Sequence, residues 1–147
     1  MKISTKGRYG VRFMIDVAQH AGQGNVTLKA VSERQHISQK YLWQVIDPLR
    51  KAGLIRSEFG PGGGYRLGRD PAEISLFDIL RVLEGNDVLV QCVKGPELCA
   101  RNHTCIAHTV WREVSDKIAG VLSSMTLREM VNRECSGGLG GFLDFAI

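Results

Sequence analysis

The stretch that decides the fold is residues 38–67, SQKYLWQVIDPLRKAGLIRSEFGPGGGYRL. Ser38 is a preferred helix N-cap, and apolar residues at three- and four-residue spacing follow it as far as Gly53, a typical helix stop. Pro48 lies inside this predicted helix, where it removes one backbone hydrogen bond or kinks the helix. Two short alternating segments then flank the glycine-rich run 60–64, a pattern typical of a β-hairpin with a flexible tip.

Two further helices are predicted before this stretch. Ser4 opens an amphipathic segment that ends near Gly22, and Thr27 caps a short segment that breaks at His36. Helices followed by a hairpin form a winged helix-turn-helix, whose third helix enters the DNA major groove while the hairpin, or wing, follows the backbone or reaches the minor groove. The predicted fold class is therefore mainly α with a small β-hairpin wing and a long dimerisation helix.

The charge of the 147-residue chain is unevenly spread. Residues 1–70 carry 12 basic and 5 acidic side chains, a net +7, whereas residues 71–147 carry 7 and 10, a net −3. A basic first part predicts double-stranded DNA as the partner, in preference to a merely solvated basic domain. The residues predicted to contact phosphates are Lys6, Arg8, Arg34, Arg50, Lys51, Arg56 and Arg66. Those predicted near base edges or on the wing are Ser38, Gln39, Lys40, Tyr41, Trp43, Gln44, Gly62, Gly63 and Tyr65.

Several other function classes are disfavoured. The glycine run is followed by Tyr65 and Arg66 in a strand, not by the Lys-Ser/Thr and helix of a phosphate-binding loop, so no nucleotide cofactor is expected. No apolar run approaches the ~20 residues that span a bilayer, and the N-terminus lacks a signal-peptide core, which predicts a cytoplasmic protein. A small redox enzyme is the least favoured hypothesis, because the chain has no Cys-x-x-Cys pair.

The second part begins with a capping box, Ser75 to Asp78, which opens a helix ending at Gly85. Further on, a heptad seam predicts a helix of ~17 residues that forms a homodimer, because two DNA half-sites need two reading units. The seam consists of Trp111, Val114, Ile118, Val121 and Met125. We expect a DNA-binding unit over residues 1–70, a packing helix, cysteine loop and dimer helix over 71–134, and a disordered tail over 135–147.

Three cysteines and a histidine lie between these helices with the spacing Cys92-x6-Cys99-x5-Cys105-x2-His108. In a reducing compartment such a group binds metal or senses redox state more often than it forms disulfides. Three thiolates and an imidazole suffice for zinc or for an iron–sulfur cluster, and the wide gaps favour a cluster. His103 and Cys135 are rival ligands at this point.

These motifs resemble those of the IscR-type bacterial transcription regulators. The matching stretches are residues 1–10, 38–42, 48–54 and 60–65, the three cysteines with His108, and residues 110–116. The resemblance covers residues 1 to about 132. It implies a winged-helix homodimer that binds operator DNA and holds a [2Fe–2S] cluster through three Cys and one His, with a [4Fe–4S] cluster or zinc as alternatives. Such regulators repress or activate genes in response to iron–sulfur, iron, redox or nitric oxide status.

The chain departs from the pattern of this family in its DNA-binding part. Trp43 stands where family members often carry an acidic residue in the third helix, which bears on DNA sequence preference. Arg8 stands where some relatives use a carboxylate as a fourth cluster ligand, and this favours His108 as the ligand here. The alternative function keeps DNA binding but makes the cysteines a thiol switch or a structural zinc site.

Overall fold

The computed structural model describes residues 2–85 and 91–136. Six α-helices and one antiparallel hairpin are present in these ranges, joined by short 3₁₀ turns. In chain order they are α1 (Thr5–Gln19), α2 (Leu28–Gln35), α3 (Gln39–Lys51), β1 (Ile55–Glu58), β2 (Gly64–Leu67), α4 (Leu76–Glu84), α5 (Ile106–Ser124) and α6 (Leu127–Cys135). The predicted mainly helical fold with a hairpin wing is confirmed.

Hydroxyl side chains cap the N-termini of helices α1 to α4. The side chains of Ser4, Thr27 and Ser38 accept a hydrogen bond from the backbone N–H three residues on, as their sequence context predicts. Ser75 and Asp78 form the expected capping box at α4. Between α2 and α3, His36 adopts a left-handed conformation with φ 54°, which makes the tight turn of the helix-turn-helix.

The hydrophobic core is built around α1. Phe13, Met14 and Val17 are fully buried there, and they belong to one cluster with the apolar face of α3. Helix α4 packs directly on α1, since a Cβ at Gly10 would lie only 2.0 Å from Leu83 Cδ1. Gly10 is therefore needed for this close approach, and the core continues across the boundary predicted at residue 70.

The hairpin forms backbone hydrogen bonds between its own strands and also with the segment before α2. Ile55 pairs with Leu67 and Glu58 with Gly64 in the antiparallel register. Val26, just before α2, exchanges backbone hydrogen bonds of 2.8 and 2.7 Å with Tyr65 of β2. This extra bridge stabilises the wing, because an isolated two-stranded hairpin is only marginally stable in water.

The end of α5 differs from the prediction. The helix stops at Ser124, and Met125, the last residue of the predicted seam, lies outside it in an extended conformation. The backbone carbonyl of Met125 instead accepts a hydrogen bond of 2.8 Å from Leu76 N, while Leu127 N donates to Ile74 O at 2.8 Å. These bonds bring the chain back to the start of α4, so Met125 joins α5 to the main body.

A further helix, α6, was not predicted. Thr126 and Glu129 form a capping box at its start, and this Thr-x-x-Glu motif was the available sequence signal. Leu127 is fully buried in the core, and α6 packs against α1. The predicted tail lies outside the described residues from residue 137 on. In the ranges that are described, no helix is both long and apolar enough to span a membrane.

Candidate DNA-binding surface and cysteine loop

Helix α3 has one buried face and one exposed face. Leu42, Val45, Ile46 and Leu49 are buried in the core. The side chains predicted to approach DNA bases lie on the exposed side, which presents hydroxyl, amide, ammonium and indole groups. They are Ser38, Gln39, Lys40, Trp43 and Gln44. The surface therefore carries donors and acceptors of the kind that read base edges in the major groove.

Two tyrosines predicted to contact DNA contribute to packing. Tyr41 is half-buried, and its ring lies edge-on to Tyr9 at a centroid distance of 5.2 Å. Tyr65 is only 9% exposed and packs edge-on against Phe13 at 6.1 Å. Burial raises the pKa of the Tyr65 hydroxyl above 10.0. The Tyr65 ring thus anchors the wing to α1, and the residue also lines the space between α3 and the hairpin; its contact with DNA stays a prediction.

Several of the predicted phosphate contacts are cations of α3 and of the wing. Arg56 and Arg66 are paired opposite each other in the hairpin and are both exposed. Arg66 forms an ion pair with Glu58 at 2.9 Å. Asp47 pairs with Lys51 at 2.6 Å and Arg50 at 3.3 Å; the bond from Lys51 is the main cause of the lowered pKa of Asp47.

The first turns of α1 carry two more of the predicted phosphate contacts. Arg8 is exposed, and its Nη2 donates to Thr5 Oγ1 at 3.3 Å. Lys6 is half-buried. The two residues lie two and four positions after the Ser4 cap, where backbone N–H groups add to the positive potential of the helix start.

Arg34, in contrast, does not act as a free surface cation. Its Nε donates to Asp16 Oδ2 at 3.0 Å, and its Nη2 pairs with the other oxygen of this carboxylate. Asp16 is 1% exposed on the apolar side of α1, and Gln35 also donates to it, at 2.9 Å. Burial alone would raise the pKa of Asp16, but the hydrogen bonds from Arg34 and Gln35 outweigh it, so the pKa lies below 3.8. The predicted phosphate contact of Arg34 is corrected: it joins α2 to α1.

The cysteine loop connects α4 to α5. Cys92, Cys99 and Cys105 are half-buried free thiols, and Cys105 is the N-cap residue of α5 without a capping bond from its side chain. Asn102 N donates to Cys99 O at 3.1 Å, and Cys105 N donates to Arg101 O at 2.9 Å, so tight turns separate the last two cysteines. Among the described residues, no three Cys, His, Asp or Glu side chains converge on a single metal position.

His108 is the unusual residue near this loop. It lies in the first turn of α5, is 8% exposed, and is the one buried residue described in that helix. Its Nδ1 is buried without a hydrogen-bond partner in the described part of the chain. Such an atom is costly unless a partner or a metal satisfies it. The rival ligands His103 and Cys135 are both exposed.

Beyond His108, α5 exposes large apolar side chains. Trp111 is 42% exposed and Val121 56%, while Val114 and Ile118 of the predicted seam are half-buried. Val110 and Ile106, next to the seam, are 47% and 82% exposed. A long helix with so much apolar surface in water is typical of an interaction face.

Helix α3 exposes a polar face, the wing is basic, and α5 exposes apolar side chains. Together these features define a winged helix-turn-helix regulator that binds DNA. Residues 3–133 match the family model of Rrf2, described as an iron-dependent transcriptional regulator, and the chain belongs to this family. It is a DNA-binding transcription regulator of the IscR type and not an enzyme.

Relatives of this chain include regulators named IscR and regulators named CymR. The HTH-type transcriptional regulator IscR of Serratia proteamaculans is 43% identical over 134 residues, which cover 91% of this chain and 81% of the relative. The solved structure of T. potens IscR is 43% identical with a TM-score of 0.74, covering 91% and 88% of the two chains. Staphylococcus aureus CymR, solved in an oxidized form, is 40% identical with a TM-score of 0.70, covering 89% and 96%.

Proposed function

We propose that this regulator is a homodimer that binds operator DNA and senses iron–sulfur, iron, redox or nitric oxide status through a [2Fe–2S] cluster. The ligands would be Cys92, Cys99, Cys105 and His108. The observation that carries the proposal is the buried Nδ1 of His108, which has no partner in the described residues and follows three free thiols in the chain. The IscR relatives support the same assignment.

The donor set fits a cluster in its chemistry. Thiolates and an imidazole are the ligands that iron–sulfur centres use, and their mixture raises the potential relative to four cysteines. The described donors do not converge on one metal ion, so binding requires the loop to bring the thiols towards His108. When bound, the cluster supplies a redox-active and labile centre.

DNA binding would use the exposed face of α3 and the wing. Ser38, Gln39 and Gln44 are placed to approach base edges, while the arginines of α3 and the wing would contact phosphates. Gly62, with φ 75°, and Gly63 keep the wing tip slender enough to lie close to a DNA backbone. These roles rest on exposure, charge and the helix-turn-helix geometry.

Dimerisation would use α5. Trp111, Val114, Ile118 and Val121 lie at heptad spacing and keep much of their apolar surface exposed in the single chain. A second copy of the helix offers the same spacing, so the interface would be symmetric. Two reading units related by a twofold axis match the half-sites of a palindromic operator.

A second candidate keeps the DNA-binding dimer but uses the cysteines as a thiol switch or a structural zinc site. Two observations favour it: the described donors do not meet at one point, and the similar CymR protein was solved in an oxidized form. Three half-buried thiols within one loop are suited to either chemistry.

Anaerobic purification followed by visible spectroscopy and iron, sulfide and zinc assays tests the two candidates. We expect a coloured protein with about two irons and two sulfides per chain. His108→Ala should lose the cluster, whereas His103→Ala, which removes an exposed imidazole nearby, should keep it. A colourless protein with zinc bound to the cysteines would refute the cluster, and so would DNA binding that responds to peroxide but not to iron.

A further inference from the structure

Two exposed aromatic side chains face the cleft between α3 and the wing. Phe59, directly after β1, is 92% exposed, and Trp43 on α3 is 57% exposed. Both line this cleft together with Arg50, Asp47 and Ser57. Large apolar groups left in water on a surface that binds DNA indicate contacts formed only in the complex.

The register of the hairpin explains the direction of Phe59. Ile55 and Ser57 alternate along β1, and Phe59 directly follows the strand; Ser57 and Phe59 both line the cleft that faces α3. Ile55 is buried in the core, Ser57 is half-buried, and Phe59 extends past the core into solvent. The same face of the wing therefore packs on α3 at one end and leaves an aromatic ring unpacked at the other.

The wing tip holds Phe59 in a defined position. Gly63 N donates to Gly60 O at 2.9 Å, and a Cβ at Gly63 would lie 2.5 Å from Glu58 O. Asn25, which lies outside the hairpin, donates from Nδ2 to Glu58 Oε2 at 2.7 Å and to Gly62 O at 3.0 Å. A tip fixed in this way loses little conformational freedom on binding.

The charges around the cleft fit a phosphate. Arg50 lines it, and Asp47 pairs with Arg50 and also with Lys51, so these three side chains carry a net +1. Arg56 and Arg66 lie on the opposite face of the hairpin and add positive charge. Where the wing reaches the minor groove beside the major groove that α3 enters, the DNA strand between the two grooves passes through the space that separates α3 from the wing.

We propose that Trp43 and Phe59 form an aromatic clamp on one DNA strand at the edge of each half-site. Trp43 makes an apolar contact with a thymine 5-methyl group in the major groove, Phe59 packs on a deoxyribose from the minor-groove side, and Arg50 binds the intervening phosphate. The clamp rests on the proposed DNA-binding function and adds to it a preference for thymine at the clamped position.

The test uses the full chain and a duplex that the wild type selects from a pool of random 30-base-pair duplexes. Phe59→Ala and Trp43→Ala should each weaken binding about tenfold and leave the slope of log affinity against log salt unchanged, because no charge is lost. Phe59→Leu should keep most of the affinity. Replacing the clamped thymine with uracil should weaken binding of the wild type but not of Trp43→Ala.

The outcomes separate the clamp from DNA binding itself. Salt-dependent binding by the wild type, with both alanine variants within twofold of it, would overturn the clamp and keep the proposed function. A shallower salt slope in Phe59→Ala would also overturn it, since that indicates lost phosphate contacts. Failure of the wild type to select any duplex would overturn both. Thermal unfolding of the two variants should match that of the wild type, because both rings are exposed.

Discussion

Glu84 Oε1 accepts two hydrogen bonds from Ser4, one from the backbone N at 3.0 Å and one from Oγ at 2.7 Å. Ser4 caps α1, and Glu84 is the last residue of α4, eight positions before Cys92. The carboxylate also lies at the positive end of α1, where a negative charge is stabilising. One acidic side chain thus connects the start of the DNA-binding unit with the helix that leads into the cysteine loop.

Replacing Glu84 with Ala should lower the free energy of unfolding by about 1–2 kcal/mol, because two hydrogen bonds to a charged acceptor are lost. Urea denaturation measures this change. Glu84→Gln retains an oxygen acceptor, so its free energy of unfolding should fall by less than that of Glu84→Ala. Unfolding of Glu84→Ala at the wild-type urea concentration would show that the contact contributes nothing to stability.

The Asp16–Arg34 pair should make stability depend on acid. The pKa of Asp16 is lower in the folded protein than its ordinary 3.8, so its contribution is complete above about pH 5 and is lost as the pH falls through the folded value. Thermal unfolding between pH 6 and pH 2.5 measures this loss. Asp16→Asn should be less stable by about 3 kcal/mol at neutral pH, with a weaker pH dependence. If Asp16→Asn showed the same dependence of stability on pH as the wild type, Asp16 would not be the source of the acid sensitivity.

Arg56 should contribute to DNA binding through charge alone. Arg56→Ala should weaken binding of all duplexes to a similar degree and reduce the salt slope by about one. Fluorescence anisotropy titrations between 50 and 200 mM salt measure both quantities. The matched control is Arg133→Ala, which removes an exposed cation from α6 and should leave the slope unchanged. Equal slopes for both variants would exclude Arg56 from the interface.

Val121→Glu should convert the proposed dimer to a monomer, because it places a charge in an apolar seam. Val121 is 56% exposed in the single chain, so the fold itself should tolerate the substitution. Sedimentation velocity measures the oligomeric state. Asp116→Ala, an exposed substitution outside the seam on the same helix, should remain dimeric. Dimeric Val121→Glu would indicate an interface elsewhere.

Local signals predicted most of the fold. Ser4, Thr27, Ser38 and Ser75 each cap the helix that follows, because an N-cap depends on only a few neighbouring residues. The hairpin was predicted for the same reason, since its glycine run lies between two alternating segments. The capping box at Thr126 is an equally clear signal for the start of α6. It was missed because the heptad seam was extended to Met125, past the actual end of α5.

Long-range partners could not be predicted in this way. Asp16 and Arg34 are 18 positions apart in the sequence. The only sequence signal of a buried charge is that Asp16 lies three positions after Phe13, on the apolar side of α1. Tyr65 is predicted from the sequence as one of the DNA-contacting residues of the wing. Its burial depends on Val26 and Phe13, which lie far away in the sequence.

The burial of Leu127 makes the core around α1 depend on a residue of α6, which follows the cysteine loop and α5 in the chain. The side chain that closes the core around the DNA-binding unit emerges from the ribosome after the entire cysteine loop and α5. A nascent chain that ends before this residue has its recognition helix but an unsealed core. Leu127 therefore completes the core next to α1, and we expect a chain truncated before this residue to be less stable than the full protein.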